Sequence, residues 1–345
     1  MSEVQPLLQA RRQRASLMRG IVSLYALLFA ANAAAWIWAL VVVHGDSVLL
    51  GLASLAYLFG LRHAVDADHI AAIDNVTRKL MQRGDRPVSV GLYFAIGHST
   101  VVVGACAGIA AMAGAMRGRL EALSGIGELI GASVSAGFLF LIALANVGVL
   151  GSVLRSFRAP AGGEVAASPP PGGLASRLLA PLTAMISQPW HMLPLGFLFG
   201  LGFDTATEVG LLALSAGQAA HLASPWTIMV LPALFAAGMS LVDATDGVLM
   251  VGAYGWAFIK PRRKLIYNLV VTLLSILVSV VVGALEVLKL VGDRLSFTGP
   301  FWRWVGLANA HFTAIGVMIV LLMAACWGGS VLISRGRTGE AAANR

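Results

Sequence analysis

The chain has 345 residues, of which 58% are hydrophobic and only 12% are charged, and its mean hydropathy is +0.83. A soluble globular domain carries about 25% charged residues, so this composition excludes that class and indicates a polytopic membrane protein. The net charge of +8 would suit a nucleic-acid partner, but most basic residues fall in alternate loops between apolar stretches. That pattern is a topology signal, so no nucleic-acid partner is expected.

Apolar stretches long enough to cross a bilayer, about 20 residues each, recur along the whole chain. Backbone groups in lipid must be satisfied internally, so we predict an all-α fold. The positive-inside bias of an even number of spans predicts cytoplasmic termini and a multi-pass protein of the cytoplasmic membrane. We predict about eight transmembrane helices, near 20–43, 47–75, 88–114, 124–150, 190–217, 225–257, 265–288 and 304–333.

One segment between the apolar stretches has the composition of a linker. Residues 159–176, APAGGEVAASPPPGGLAS, are rich in Pro, Gly and Ser, which suits a flexible cytoplasmic connection. We therefore predict an N-terminal membrane half at 1–150, a linker at 151–189 and a C-terminal membrane half at 190–345.

Two sequence matches relate these halves to each other. LFGLRHAVDAD at 58–68 aligns with LFGLGFDTATE at 198–208, and FAIGHS at 94–99 aligns with FAAGMS at 235–240. By the predicted topology the matched spans run in opposite directions, so spans 2–3 and 5–6 form an inverted repeat, an arrangement typical of secondary transporters. Chance matching in a chain rich in Leu, Ala and Gly is the alternative.

Ionisable residues cluster in the spans that carry these matches. Such groups are costly at membrane depth and are kept where they face a protein interior or a water-filled path. An excess of carboxylates with imidazoles, and no thiolate nearby, suits a divalent cation. The candidate metal-binding residues are His63, Asp66, Asp68, His69, His98, Asp204, Glu208, Asp243 and Asp246.

Their spacing supports a shared site in part. Asp204 and Glu208 stand at i and i+4, and Asp243 and Asp246 at i and i+3, so each pair lies on one helix face. His63, Asp66 and His69 form a row at i, i+3 and i+6, and Asp68 does not fit this row. Either it orients a ligating histidine, or the helix is unwound there, as in transporters with broken helices.

Farther along the second span, Asp74 stands four residues before Arg78. This spacing at the predicted cytoplasmic end favours a solvated i, i+4 ion pair and no role in the site.

Four motifs resemble those of the nickel/cobalt transporter family, the NiCoT permeases. RHAVDADHI at 62–70 contains the pattern His-x4-Asp-His, and FAIGHSTVVV, LGFDTATE and GMSLVDATDG follow in family order at 94–103, 201–208 and 238–247. One departure is Ala244, where the family pattern has Thr between the two aspartates.

The resemblance implies an eight-span permease of the cytoplasmic membrane that takes up nickel or cobalt ions. The metal is then the transported substrate, no cofactor is expected, and the lipid bilayer is the other partner. His63, Asp68 and His69 are implied as essential for metal recognition, with Asp66 also inside the signature. Further ligands or supports are implied at His98, Asp204, Glu208, Asp243 and Asp246.

Other functions remain open at the level of the residues alone. The same ligands fit Zn²⁺, Mn²⁺ or Cu²⁺, and the residues do not fix a coupling ion or an oligomeric state. Efflux of the same metals is one alternative, although the central loop lacks the histidines that exporters often carry. A membrane metalloenzyme is less favoured, because a desaturase-type di-iron site needs more clustered histidines than the seven in the whole chain and no HExxH zinc motif is found. The absence of a GxxxxGK[ST] motif argues against ATP hydrolysis through a P-loop.

Overall fold

The computed structural model describes residues 4–43, 45–111, 117–158, 186–202, 229–257, 261–322, 324–325 and 328. Their regular structure is helical throughout, with no strand among these residues. The helices are α1 Val4–Val43, α2 Ser47–His63, α3 Ala67–Gln82, α4 Val90–Ala111, α5 Arg117–Arg158, α6 Met192–Phe199, α7 Val230–Ala257, α8 Pro261–Arg294, α9 Pro300–Ala310 and α10 Phe312–Leu322. A short 3₁₀ turn, Pro189–His191, precedes α6.

Among the described residues, five helices are long and apolar enough to cross a bilayer, and there are up to seven spans if each of two bent helix pairs is one span. The bent pairs are α2 with α3, at 51°, and α9 with α10, at 64°. Each candidate span falls on one predicted apolar stretch. The remaining predicted stretch, 190–217, begins with α6 and continues into residues outside the described ranges. The described part of the chain is therefore all-helical, and the protein is a multi-pass membrane protein.

The fold divides into two compact units that do not follow the order of the chain. The first consists of Met1–Ala64, Lys79–Ala132 and Gln188–Val251, and the second of Val65–Arg78, Ser133–Ser187 and Gly252–Arg345. Most of the predicted linker, residues 159–185, lies outside the described ranges. The division into membrane halves at that linker stays a prediction.

In the first unit, α2 crosses α7 at two glycines. A Cβ added to Gly60 would collide with the backbone carbonyl of Phe235, and one added to Gly238 would lie 2.7 Å from the carbonyl oxygen of Tyr57. Each helix therefore contributes one glycine at the point where the other helix touches it. Small residues at such crossings allow membrane helices to approach backbone to backbone.

The crossing of α4 with α6 is built in the same way. A Cβ on Gly97 would collide with the carbonyl of Leu193, and a Cβ on Gly196 would collide with the carbonyl of Phe94. Again the two glycines lie on opposite helices and each faces the partner's backbone. The first unit therefore contains two reciprocal glycine crossings.

Within the first unit, a hydrogen-bonded asparagine connects α1 to α2 and α7. Asn32, which is 8% exposed, accepts a hydrogen bond from the Tyr57 hydroxyl at 2.9 Å. Its amide donates to the carbonyls of Leu28 and Ala237 at 2.8 and 3.3 Å. Because a polar group in lipid needs partners, these bonds fix the face that α1 presents to α2 and α7.

The second unit contains a helical segment that is both polar and buried. Within α3, Asp74 is 3% exposed and Arg78 is 2% exposed. The prediction of a solvated pair at these two positions is wrong. The i, i+4 spacing fits a buried pair as well as a surface pair, so the spacing carries no information about burial.

Hydroxyl groups from two other helices contact this buried pair. Tyr254 of α7 and Ser275 of α8 donate to the two carboxylate oxygens of Asp74, at 2.5 and 3.3 Å. Arg78 donates to the hydroxyl of Thr272 in α8 at 2.8 Å. Hydrogen bonds to buried charges are what makes their burial tolerable.

Asn75 extends the same network to α5. Its side-chain oxygen accepts from Arg78 at 3.3 Å and from Asn146 at 2.9 Å. Its amide donates to the hydroxyl of Ser279 at 3.2 Å and to the carbonyl of Ala71 at 2.7 Å. Such a connected polar network stabilises one packing of α3 against α5 and α8 over its alternatives.

The glycine crossings predict that alanine substitutions at two glycines of α4 affect the stability of the protein differently, and that Gly97→Ala is the destabilising one. Gly97→Ala would force α4 away from α6, because the new methyl group meets backbone atoms that cannot rotate away. Gly104 has no atom within 4 Å of an added Cβ, so Gly104→Ala should leave stability unchanged or raise it by up to about 1 kcal/mol through helix propensity. Thermal unfolding midpoints of the purified proteins in detergent check this. Equal midpoints for the two variants would contradict the crossing.

The buried network predicts that phenylalanine substitutions at two tyrosines lower the stability of the protein by different amounts. Tyr254→Phe removes a donor to a buried carboxylate and should cost about 1.5–3 kcal/mol. Tyr25→Phe is the matched control, because that hydroxyl lies 3.1 Å from the neutral hydroxyl of Thr245 and its loss should cost about 0.5–1.5 kcal/mol. The same unfolding measurement compares them. A larger shift for Tyr25→Phe would rule out a charged Asp74 as the acceptor.

Candidate metal site

The first candidate ligand ends α2. That helix begins at Asp46, whose side chain accepts from the backbone N–H groups of Val48 and Leu49 at 2.8 and 3.2 Å, an N-cap arrangement. It ends at His63, with Ala64 as the C-cap residue. His63 is 2% exposed, so the end of this helix is buried rather than solvated.

His63 meets His98 of α4 in the first unit. The Nε2 atoms of the two rings are 3.0 Å apart, and the ring centroids are 4.9 Å apart at an interplanar angle of 64°. His98 is 1% exposed. At this distance one neutral ring donates its N–H to the lone pair of the other. Each histidine therefore directs its own Nε2 atom toward the other ring, and both rings are buried.

Aromatic rings surround this pair of histidines. Phe235 of α7 lies 5.6 Å from His63, and Phe94 of α4 lies 6.1 Å from His98, both between ring centroids. Phe199 packs edge to face on Phe94 at 5.4 Å. An apolar shell of this kind lowers the local dielectric and strengthens any charge interaction made inside it.

The separation of the two nitrogens bears on what they can bind. Two imidazoles bound to one ion at about 2.1 Å each would have their nitrogens about 3.0 Å apart at a bond angle of 90°, and about 3.4 Å apart at a tetrahedral angle. The observed 3.0 Å fits the right angle, which belongs to square-planar, tetragonal and octahedral sites. An ion bound at this angle would lie to one side of the line between the two nitrogens, so each ring would have to turn its lone pair from the other nitrogen toward the ion.

Two predicted acids also lie in the first unit. Asp243 and Asp246 of α7 are 0% and 8% exposed, which agrees with the expectation that they face the protein interior. A Cβ on Gly91 would collide with the backbone of Asp243, so α4 lies directly on α7 there. Gly91 precedes His98 by about two helical turns, or roughly 10 Å along the axis.

The other candidate ligands of the first motif belong to the second unit. The helix is interrupted between His63 and Ala67, and the backbone carbonyl of Asp66 accepts from Ile70 at 3.2 Å to begin α3. His69 is 0% exposed and Asp66 is 5% exposed, whereas Asp68 is half-buried in the first turn of α3. The break thus comes just before Asp68, close to where an unwound helix was one of two explanations for its spacing.

Two predicted ligands, Asp204 and Glu208, lie outside the described residues. Their place in the site stays a prediction. The structure instead adds a residue that sequence reasoning missed. The hydroxyl of Thr313 in α10 donates to a carboxylate oxygen of Asp66 at 2.5 Å. A lone threonine in an apolar helix gives no sequence signal of such a contact, because its hydroxyl usually returns to its own helix backbone.

The sequence model of NicO, described as high-affinity nickel-transport protein, matches residues 49–333. The chain belongs to this family. The resemblance inferred from the four motifs is therefore confirmed. The matched range includes parts of both units and every candidate ligand named above.

Individual relatives of this NicO member are also transport proteins by name. The high-affinity nickel transport protein of Cupriavidus necator is 48% identical over 321 residues, which cover 91% of this chain and 92% of that protein. The nickel transporter NicT of Mycobacterium tuberculosis is 45% identical, covering 84% of this chain and 80% of that protein. The cobalt transport protein NhlF of Rhodococcus rhodochrous is 37% identical over 83% of each chain. No solved structure gives a significant match.

These relationships decide between two classes of function. The family and its named relatives are transport proteins, so the chain is a transporter and the metalloenzyme alternative is dropped. Neither the family description nor the names of these relatives support the efflux alternative.

Proposed function

We propose that this NicO protein is a secondary transporter that takes up Ni²⁺, and Co²⁺ as a related substrate, across the cytoplasmic membrane. The observation that carries the proposal is the buried pair of His63 and His98, whose Nε2 atoms are 3.0 Å apart. Imidazole is a suitable ligand for nickel, and a right-angled arrangement of nitrogen donors is common in Ni²⁺ sites. In a member of a nickel-transport family, the pair is best explained as the nucleus of the substrate site.

The proposed site has more ligands and supports than this pair. His69 is the third buried histidine with a ring nitrogen to offer, and it follows His63 by six residues in the motif. A dehydrated 2+ ion also needs negative charge, which two neutral rings do not provide. The full proposed set is His63, Asp66, Asp68, His69, His98, Asp204, Glu208, Asp243 and Asp246.

The proposed architecture is eight spans with an inverted repeat, in which spans 2–3 correspond to spans 5–6. The two reciprocal glycine crossings support it. The first span of one repeat, α2, packs on the second span of the other, α7, through Gly60 and Gly238. The helix that begins the other repeat, α6, packs on α4 through Gly196 and Gly97. An exchange of this kind is what a twofold relation between two repeats produces. Gly97 aligns with Gly238, and Gly196 lies one helical turn before Gly200, the residue that aligns with Gly60.

The proposed mechanism is alternating access. The ion exchanges its water for protein ligands at a site between the repeats and leaves on the other side when the repeats rock. An inside-negative potential favours inward movement of a 2+ ion by about 4.6 kcal/mol per 100 mV. Basic residues concentrated in alternate loops support cytoplasmic termini. In this proposal the 151–189 linker joins the membrane halves 1–150 and 190–345 on the same side.

Metal accumulation in cells tests the function. At submicromolar metal, cells that express the protein should accumulate radioactive nickel and cobalt, and His69→Ala or Asp204→Ala should reduce the gain to background because each removes a proposed ligand. His191→Ala is the matched control, since it removes a histidine that lies beside Trp190 and outside the proposed set. It should retain uptake within about twofold, in line with a surface substitution.

The amount of each variant in the membrane is measured alongside uptake. Expression that lowers cellular metal would reverse the proposed direction of transport. Expression that moves neither metal, with the protein present in the membrane, would refute the proposed substrate.

A double-mutant cycle tests whether His63 and His98 hold the same ion. Nickel affinity is measured by equilibrium dialysis of purified wild type, His63→Ala, His98→Ala and the double variant. Because both rings would contact one ion, the double loss should be smaller than the sum of the single losses, with a coupling of about 0.5–3 kcal/mol. Strictly additive losses would mean that the rings act on separate ions or through folding alone.

A further inference from the structure

The break between α2 and α3 poses a physical problem that the proposed ligands do not solve. The interruption between His63 and Ala67 leaves backbone groups without the partners of a continuous helix. At membrane depth such backbone is tolerated only where protein buries it or water reaches it. Another element must therefore support the segment from which the motif's carboxylates and histidines project.

In the second unit, α10 packs on this segment at a glycine. A Cβ added to Gly316 would collide with the carbonyl of Val65 and lie 3.2 Å from the backbone nitrogen of Ala67. Both atoms belong to the break or its edge. The backbone of α10 therefore lies against the non-helical backbone, and a larger residue at this position would push the two apart.

The same face of α10 also forms a hydrogen bond with a side chain of the break, the carboxylate of Asp66. Thr313, three residues before Gly316, donates its hydroxyl to the carboxylate of Asp66 at 2.5 Å. Asp66 is 5% exposed, so water competes little with this bond. Hydrogen bonds to an ionised acceptor are shorter and stronger than neutral ones. One helix face thus fixes the backbone and the carboxylate of the break together.

We infer that Thr313, with Gly316, is a positioning residue for the metal site: it orients the carboxylate of Asp66 and so sets the affinity and the nickel-to-cobalt preference. This inference rests on the proposed function. Asp66 lies three residues from both His63 and His69 in the chain, at the centre of the motif. Groups that orient ligating carboxylates change metal affinity by about 10–100-fold when removed.

A preference between the two metals follows from the same geometry. Ni²⁺ and Co²⁺ carry the same charge, and proteins select between divalent ions mainly through ligand type and arrangement. A change in the direction of one carboxylate alters the arrangement and leaves the ligand set intact. Loss of the Thr313 hydroxyl should therefore affect the two metals unequally.

The test uses three threonine variants of the full chain. Thr313→Val keeps the shape and removes the donor, and Thr313→Ser keeps the donor. Thr100→Val is the matched control, because the Thr100 hydroxyl donates to the carbonyl of Ile96 in its own helix at 2.8 Å on an exposed face. Initial rates of radioactive nickel and cobalt uptake are measured against concentration and divided by the amount of protein in the membrane.

Thr313→Val should raise the half-saturating nickel concentration about tenfold or more and shift the ratio of nickel to cobalt uptake. Thr313→Ser and Thr100→Val should behave as wild type. Gly316→Ala should shift the ratio as well, while Gly306→Ala, at a position with no atom within 4 Å of an added Cβ, should not.

Two results would overturn the inference. One is a Thr313→Val protein with wild-type half-saturation and ratio. The other is a variant in which only the maximal rate falls, equally for both metals, which would indicate loss of folded protein.

Failure of the proposed function looks different, because the wild type itself would then accumulate neither metal. In that case equilibrium dialysis of purified wild type and Thr313→Val with nickel decides the matter. Weaker binding by the variant supports the inference, and equal binding refutes it.

Discussion

The structure depends on one constraint of the membrane interior, which is that a helix can be interrupted there only where protein buries the freed backbone groups or water reaches them. The interruption after His63 turns the chain by 51°, so that the two histidines of the motif end one helix and begin another. A continuous helix would carry His63 and His69 on different faces, because six residues at 3.6 per turn leave the two side chains about 120° apart around the axis. Because of the break, the residues of the motif are not held at the fixed angular spacing of one continuous helix.

Close helix crossings determine where the histidines lie. Gly60 precedes His63 by three residues, and Gly97 directly precedes His98, so each ligand stands beside a point where two helices touch through their backbones. Backbone contact is less adjustable than contact between long side chains, since no rotamer can absorb a shift. The backbone positions from which the two imidazole rings project are therefore fixed by helix packing. These positions depend on glycines, which have no side chain that could act as a ligand.

Sequence reasoning gave the apolar spans and the burial of His63, His69 and Asp243, because long apolar runs and their few charged residues are visible without a structure. It gave the break only as one of two explanations for the spacing of Asp68. It misjudged the pair of Asp74 and Arg78, because the partners that bury this pair, such as Tyr254 and Thr272, are about two hundred residues away. Thr313 was missed for the same reason. Contacts between distant spans follow from packing, and one sequence does not encode them in any local pattern.

The charge of the substrate explains why the site needs more than the histidine pair. Two neutral imidazoles can replace part of the water around a divalent ion, but they leave its charge uncompensated in an apolar shell of phenylalanine rings. Acids must approach to lower the energy of the bound ion, and they must withdraw or be neutralised for the ion to leave. In the proposed site the histidine pair stands beside the glycine crossings, whereas Asp66 follows the break and is held by Thr313. The neutral ligands and this acid are therefore positioned by different contacts.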